Sequence, residues 1–196
     1  YACECGYAGD TVRVETTAGL VIGERIDRRR YRVRLNDPTV IDLDRTAMIG
    51  GEKIPCGYVE LGNPGLPHAV VHWPGLANAD NDLLFKLGRA LRCFEGFPKG
   101  ANVNFYELLG KDTLYERTYE RGVEDFTYAC GTGTGSVVTV LTLQGKVSGK
   151  AVKVQMTGGE LIIDAKRRGS RVERLFLTGP TNIVCKGQVT DEDLAI

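Results

Sequence analysis

Cys130 stands directly before a turn of small residues, Gly131–Gly133 (GTG), which leads into an uncharged run that ends at Gly145. Glycines and hydroxyls that open an apolar run, with a glycine that closes it, predict a buried helix beginning at Gly131. The free backbone N–H groups and the positive dipole end of a helix start favour a thiolate. Cys130 could therefore act as a base or a nucleophile, although a buried structural cysteine is the simpler interpretation.

The same turn could also bind an anion. Adjacent glycines let the backbone approach a ligand closely, so a substrate carboxylate could sit on the N–H groups of the helix start. A phosphate site is less favoured, because neither a Gly-Lys-Ser/Thr ending nor a GxGxxG pattern is present. A covalent transferase or hydrolase is also less favoured, because such a nucleophile needs a held histidine base and only His68 and His72 exist.

The composition narrows the class of protein. With 196 residues, 42% hydrophobic and 26% charged, the chain is typical of a packed globular protein. Its 25 basic residues balance 25 acidic ones, so we expect neither nucleic acid nor a membrane as partner. Six scattered cysteines without a CxxC pair predict free thiols and no metal site. The first residues are neither basic nor followed by an apolar run, which predicts a cytoplasmic protein.

The chain also repeats itself. Residues 11–22 (TVRVETTAGLVI) match 151–162 (AVKVQMTGGELI), and residues 32–41 (RVRLNDPTVI) match 174–183 (RLFLTGPTNI). Apolar residues alternate with polar ones around glycine turns, so each copy predicts a strand-turn-strand-loop-strand block. In the second copy the predicted helix precedes this block, and the match places residues 1–6 opposite the end of that helix. The repeat therefore predicts that the chain begins inside a helix of its first domain.

Further elements lie between the two copies. Leucines at helical spacing over 81–94, followed by a Gly-Phe-Pro stop, predict a helix. Alternating or apolar patterns predict strands over 68–73, 102–109 and 113–120.

Two segments in this framework carry a family resemblance. Glu120–Gly122 (ERG), followed by Ala129–Gly133 (ACGTG), resembles the second-domain motif of diaminopimelate epimerase and related cofactor-independent amino-acid racemases. Further family-like segments follow in the same order, and together they cover nearly the whole chain: GLPHAVV at 65–71, FP at 97–98, NVNF at 102–105, GGEL at 158–161 and TGP at 178–180.

The resemblance implies an α+β fold of two pseudo-symmetric domains, each a curled, mostly antiparallel sheet around a central helix. The active site would lie in the cleft between them. Residues 1–50 would be the remainder of an incomplete first domain and residues 51–184 the second domain. Residues 185–196 would be a C-terminal segment that returns to the first domain. A homodimer is also expected, because exposed strand edges tend to pair.

By the same resemblance, the protein is an isomerase of lysine biosynthesis that needs no pyridoxal phosphate or other cofactor. It would convert LL- to meso-diaminopimelate by passing a proton between two cysteines on opposite faces of the α-carbon. Cys130 is one of them, whereas the Asn-Gly-x-x-Cys-like segment that carries the other in the family is absent from the sequence, so these residues alone are expected to be inactive. A racemase of a different amino acid and an inactive carboxylate-binding relative are the alternatives.

The resemblance also assigns roles near the reacting carbon. Gly131 and Thr132 would hold the reacting carboxylate, while Glu120 would accept a hydrogen bond from the substrate ammonium. His68 would orient the thiols. The alternatives are a surface position for Glu120 and an ordinary strand-edge histidine for His68.

The distal end of the substrate would be read by Asn102 and Arg121, which could otherwise be a turn asparagine and part of a surface ion pair. A further substrate-reading asparagine of the family falls in a segment that is longer here, Gly62–His68 (GNPGLPH). That residue could be Asn63, displaced by the insertion, or could be replaced by Leu66. The spacer between Gly122 and Ala129 also departs from the family pattern, which bears on the identity of the substrate.

Overall fold

The structure, a computed structural model, describes residues 1–16 and 19–187. These residues form mostly sheet, with two α-helices, α1 (Asn81–Arg92) and α2 (Gly131–Leu143), and a short 3₁₀ helix, Leu76–Asn78. The strands in chain order are β1 (Thr11–Thr16), β2 (Gly19–Arg25), β3 (Arg30–Arg34), β4 (Pro38–Ile49), β5 (Glu52–Leu61), β6 (Leu66–His72), β7 (Asn102–Gly110), β8 (Thr113–Glu120), β9 (Asp125–Thr127), β10 (Val152–Met156), β11 (Gly159–Arg168) and β12 (Arg171–Pro180).

The elements predicted between residues 11 and 180 are confirmed, with small differences at their ends. Residues 2–6, which the repeat places at the end of a helix, form turns instead. Helix α2 begins at Gly131 as predicted and ends two residues before Gly145. Helix α1 ends at Arg92 rather than residue 94, because Cys93 already leaves the helical conformation and caps the helix. Strands β7 and β8 match their predicted ranges closely, and β6 begins earlier than predicted, at Leu66.

One mixed sheet joins the strands in the order β1-β2-β3-β12-β11-β10-β8-β7-β6-β5-β4, and β9 pairs with β8. The two repeat copies form the blocks β1–β3 and β10–β12, which meet where β3 pairs antiparallel with β12 from Arg34 with Phe176 to Arg30 with Pro180. Among the strand pairs of the described residues, only β6–β7 and β8–β10 are parallel. The mostly antiparallel α+β class is confirmed. The division at residues 50 and 184 stays a prediction, and residues 188–196 lie outside the described part.

Helix α2 forms the centre of the main core. Its residues from Gly133 to Leu143 are all buried, and the sheet curls around it so that β4–β7, β11 and β12 contact it. Since a helix without a polar face needs apolar cover on every side, this curl follows from the sequence of α2. Its hydroxyls avoid a burial cost by bonding carbonyls four residues back, as Thr134 does to Cys130 and Ser136 to Thr132, both at 2.9 Å.

Strands β5–β8 separate this core from a second one around α1. Because side chains alternate along a strand, Tyr106 of β7 faces the α2 cluster while Val103 and Phe105 face the α1 cluster. Helix α1 is amphipathic and is capped by Asp80, whose carboxylate accepts the Leu83 N–H at 3.0 Å. No helix among the described residues combines the length and apolar character needed to cross a membrane.

We expect Leu141→Ala to lower the free energy of unfolding by about 2–5 kcal/mol, because Leu141 is fully buried on α2 and its removal leaves a cavity. Denaturant unfolding followed by circular dichroism measures the change. Leu109→Ala is the control, since Leu109 is 51% exposed, and its loss should stay within about 0.5 kcal/mol. Equal losses in both variants would contradict the central place given to α2.

Candidate active site

Cys130 is the N-cap residue of α2, with extended backbone angles and only 8% of its surface exposed. Its sulfur lies 3.7 Å from the Thr132 hydroxyl, and the backbone N–H of Gly133 acts electrostatically on it. The first helical hydrogen bond runs from the Thr134 N–H to the Cys130 carbonyl, so the N–H groups of Gly131 and Thr132 come before the helical bonding pattern begins.

The expected thiolate is wrong for this state of the molecule. Burial raises the pKa of Cys130 to about 11, although the Gly133 N–H and the Thr132 hydroxyl act in the opposite direction. The nearby carboxyls of Glu116 and Glu120 raise it further. Desolvation therefore outweighs the favourable field of the helix start, and Cys130 is a neutral thiol at pH 7.

His68 lies on β6 beside Asn102 of β7, where the two residues are paired in register. Its ring is completely buried, and burial, with a smaller contribution from Arg121, lowers its pKa to about 3. His68 is therefore neutral at physiological pH. Its Nδ1 lies 3.3 Å from the Asn104 amide nitrogen, and its Nε2 has no hydrogen-bond partner among the described residues.

Asn102 holds Arg121 in place. The side-chain oxygen of Asn102, Oδ1, accepts the Arg121 backbone N–H at 2.9 Å. The side-chain NH₂ of Asn102 donates to the Pro67 carbonyl at 3.2 Å. The Arg121 guanidinium donates to the Lys99 carbonyl at 2.6 Å. Most of the Asn102 side chain is thus used within the protein, and its reading of a substrate stays a prediction.

Glu60 anchors the loop that receives Arg121, a part of the site that sequence reasoning missed. Its carboxylate is almost buried and accepts from the Tyr58 hydroxyl and the Lys99 ammonium, both at 2.7 Å. Burial alone would raise the pKa of Glu60, but these two donors lower it overall. Glu60 is therefore ionised at neutral pH and ties Lys99 to strand β5.

Sequence reasoning also missed a buried polar cluster beneath the start of α2. Asn104 of β7 is fully buried, and a Cβ added to Gly133 would clash with its Oδ1. Thr118 of β8 donates to that same oxygen at 3.0 Å, and Glu116, two residues before it on the same face of the strand, lies 3.3 Å from its hydroxyl. The signal in the sequence was the polar residues at every second position of two otherwise buried strands.

Most of the predicted site residues gather in one place. Glu120 ends β8, half-buried, and its charge acts on Cys130. Asn63 instead lies exposed in the turn between β5 and β6. Leu66 is two residues before His68 on β6 and so shares its face of the strand. Asn63 thus lies apart from His68 whereas Leu66 shares its face, and which of the two takes the substrate-reading position stays a prediction.

The fold is that of a known group of proteins. The crystal structure of a phenazine biosynthesis protein of the PhzF family from Enterococcus faecalis superimposes with a TM-score of 0.60 at 15% identity, covering 96% of this chain and 69% of that one. At this identity the likeness shows the fold alone.

Sequence comparison gives the family. The diaminopimelate epimerase family profile matches residues 61–184. Diaminopimelate epimerase from Aquifex aeolicus is 38% identical over 99% of this chain and 67% of its own length, and that from Methanothrix thermoacetophila is 37% identical over 99% and 68%. The chain therefore belongs to the diaminopimelate epimerase family, a family of isomerases, and spans about two thirds of the length of these relatives.

We expect His68→Gln to remove a destabilisation that appears at low pH. Because the folded-state pKa of His68, about 3, lies below the unfolded value, the folded state binds fewer protons, so wild-type stability is lost as pH falls below about 6.5. The unfolding free energy of wild type relative to the variant should therefore fall between about pH 7 and pH 4.5. His72→Gln, which changes an exposed histidine on the same strand, is the control and should not alter the slope. A parallel pH dependence of wild type and His68→Gln would contradict the assignment.

Proposed function

We propose that the protein epimerises an amino-acid α-carbon by thiol and thiolate proton transfer without pyridoxal phosphate, and that its reaction is LL- to meso-diaminopimelate in lysine biosynthesis. The single observation that carries this proposal is the buried cysteine at the open N-terminus of α2, in a chain of this family. A proton carrier and a carboxylate site are thereby adjacent.

The start of α2 suits the carboxylate of an amino acid. The N–H groups of Gly131 and Thr132 have no helical acceptor, and the positive end of the helix dipole lies with them. A carboxylate held there would place the α-carbon beside the Cys130 sulfur. The bound carboxylate would also hold electron density as the α-carbon loses its proton, because these donors are already in position.

The raised pKa gives Cys130 a definite resting role. As a neutral thiol it is the acid that returns a proton to the α-carbon, and it becomes the base only when the reaction runs in reverse. The proposal requires a second thiol that faces Cys130 across the substrate and starts as thiolate. Neutral His68 nearby avoids a fixed positive charge that would favour the thiolate form of Cys130.

Glu120 and Arg121 would then bind the remaining charged groups of the substrate. Glu120, at the end of β8, would accept from the ammonium near the reacting carbon. Arg121, held by Asn102 and the Lys99 carbonyl, would pair with the distal carboxylate of diaminopimelate. A racemase of an amino acid without a distal carboxylate is the second candidate, favoured by Leu66 in place of a polar substrate-reading side chain.

We expect the enzyme, with the segment that supplies the second thiol, to incorporate deuterium from deuterium oxide at the α-carbon of diaminopimelate. We expect Cys130→Ala to lower that rate at least about 100-fold, because general acid–base catalysis contributes this much or more. Proton NMR of the substrate measures the exchange. Cys93→Ala is the matched control, since Cys93 is exposed beyond the end of α1, and it should exchange like wild type.

Other outcomes of that experiment would contradict the epimerase. An acyl-enzyme on Cys130, seen by intact mass, would favour a cysteine-nucleophile hydrolase or transferase. Tight binding of diaminopimelate without exchange would favour a carboxylate-binding relative. Exchange that persists unchanged in Cys130→Ala would remove Cys130 from the reaction.

We expect Arg121→Lys to reduce kcat/KM for diaminopimelate at least about 10-fold, since a charge-assisted hydrogen bond is worth about 1.5–3 kcal/mol and about 1.4 kcal/mol is a factor of ten. Lysine keeps the charge but loses the planar fork. Solvent exchange into alanine, which has no distal carboxylate, should change much less. Arg117→Lys, on β8 and bonded to Asn81, is the control. Equal losses on both substrates would place Arg121 at the reacting centre or in the fold.

A further inference from the structure

Glu116 is a carboxyl buried in the α2 side of the sheet. It is only 2% exposed, its Oε1 lies 3.3 Å from the Thr118 hydroxyl, and its Oε2 has no hydrogen-bond partner among the described residues. No cation pairs with it among the salt bridges of the described part of the chain. A buried, unpaired carboxylate is so costly that its protonation state must be decided by the surrounding hydrogen bonds.

Those hydrogen bonds begin with the Asn104 carboxamide, whose orientation is fixed. One end of it lies 3.0 Å from the Ala69 carbonyl and 3.4 Å from the Asn102 carbonyl. Backbone carbonyls only accept, so this end must be the NH₂ group. The oxygen of Asn104 therefore faces the Thr118 hydroxyl, and His68 Nδ1, on the NH₂ side, is an acceptor whose proton is on Nε2.

The number of protons available for these contacts then decides whether Glu116 is protonated. A threonine hydroxyl has one proton, and Thr118 must give it to the Asn104 oxygen at 3.0 Å. The contact between Thr118 and Glu116 then needs a proton from Glu116. The Thr134 hydroxyl, which also lies beside the carboxyl, gives its own proton to the Cys130 carbonyl at 2.9 Å and does not replace it.

We infer that Glu116 is a neutral carboxylic acid that donates to Thr118, and that it is a positioning residue for the first turn of α2. The series of hydrogen bonds from Glu116 through Thr118 ends at Asn104, which packs against Gly133. The backbone N–H of Gly133 in turn acts on the Cys130 sulfur. The importance of this turn for a reaction rests on the proposed function. The protonation state of Glu116 and the orientation of Asn104 do not.

Burial also raises the pKa of Glu116 to about 8, with the Thr134 and Thr118 hydroxyls acting in the opposite direction. Above this pH the ionised carboxylate would accept a hydrogen bond from the Thr118 hydroxyl, and the Asn104 oxygen would lose its donor. The Ala69 and Asn102 carbonyls would still hold the Asn104 NH₂ beside His68 Nδ1, so the ring proton of His68 would stay on Nε2. The titratable or charged groups that bear on Glu116 are Tyr106 opposite it on β7, Cys130 on α2, Glu120 on its own strand, and His68 and Arg121 through the chain. Residues 152, 154 and 156 of β10, which face this core, are uncharged.

Two NMR measurements test the inference. The ¹³C shift of the Glu116 carboxyl reports its protonation, and the imidazole ¹⁵N shifts of His68 distinguish the two neutral tautomers and so report the orientation of Asn104. The sequence holds two histidines, so His72→Gln assigns the imidazole spectrum. In wild type the Glu116 carboxyl should lose its proton between about pH 6 and pH 10, with a midpoint near its pKa of about 8, while His68 stays the Nε2–H tautomer. The Gly133 amide shift should move with the same midpoint.

Glu116→Gln is the decisive variant, because its amide is a permanent neutral donor to Thr118. In it, the Gly133 shift should stay constant over the same pH range, while Glu124→Gln, on an exposed loop, should behave as wild type. Thr118→Val should also remove the coupled change, which keeps the test available if Glu116→Gln folds poorly. A Glu116 carboxyl already ionised at pH 6, an Nδ1–H tautomer of His68, or a Gly133 change retained in Glu116→Gln would overturn the inference. Because no substrate is used, these results are independent of the deuterium-exchange test.

Discussion

The eleven residues of helix α2 from Gly133 to Leu143 are all buried, so this part of the helix exposes no face to water. This burial determines how the strands are arranged around the helix. Six strands must cover the helix, so the sheet curls rather than lying flat. The same burial reaches the first turn and encloses Cys130. The position of the thiol is thus a consequence of core packing, and the glycines of the turn leave room for the Asn104 side chain at that point.

Burial also gives the site its electrical character. Cys130, His68 and Glu116 all have pKa values displaced by burial towards their neutral forms. The hydrogen bonds between them are therefore directed by which groups have a proton to give, and two backbone carbonyls set that direction at Asn104. The ionised groups, Glu60 with Lys99 and the Arg121 guanidinium, lie further out, where solvent and partners support their charge.

Local sequence patterns predicted much of the fold and part of the site. Helix α2 was found because its start and end are marked by glycines, and Cys130, Glu120 and Arg121 were found because their motifs are contiguous. The protonation state of Cys130 was not predicted. The dipole of a helix start is a local property, whereas desolvation depends on strands far away in the sequence. Asn104 and Glu116 were missed for the same reason. Their meaning depends on the register that sets Asn104 opposite Thr118 and Tyr106 opposite Glu116.

The pairing of β3 with β12 has a consequence for how the molecule is made. Strand β3 pairs with the nearby strand β2 along one edge. Its other edge pairs with residues 176–180 of β12, which are far away in the sequence. During synthesis from the N-terminus, the free edge of β3 stays unpaired until residues 176–180 have left the ribosome. Such a contact also contributes a high contact order, which slows folding. In that interval the arginines of β3 protect the edge, since charged side chains discourage a growing chain from pairing with its neighbours.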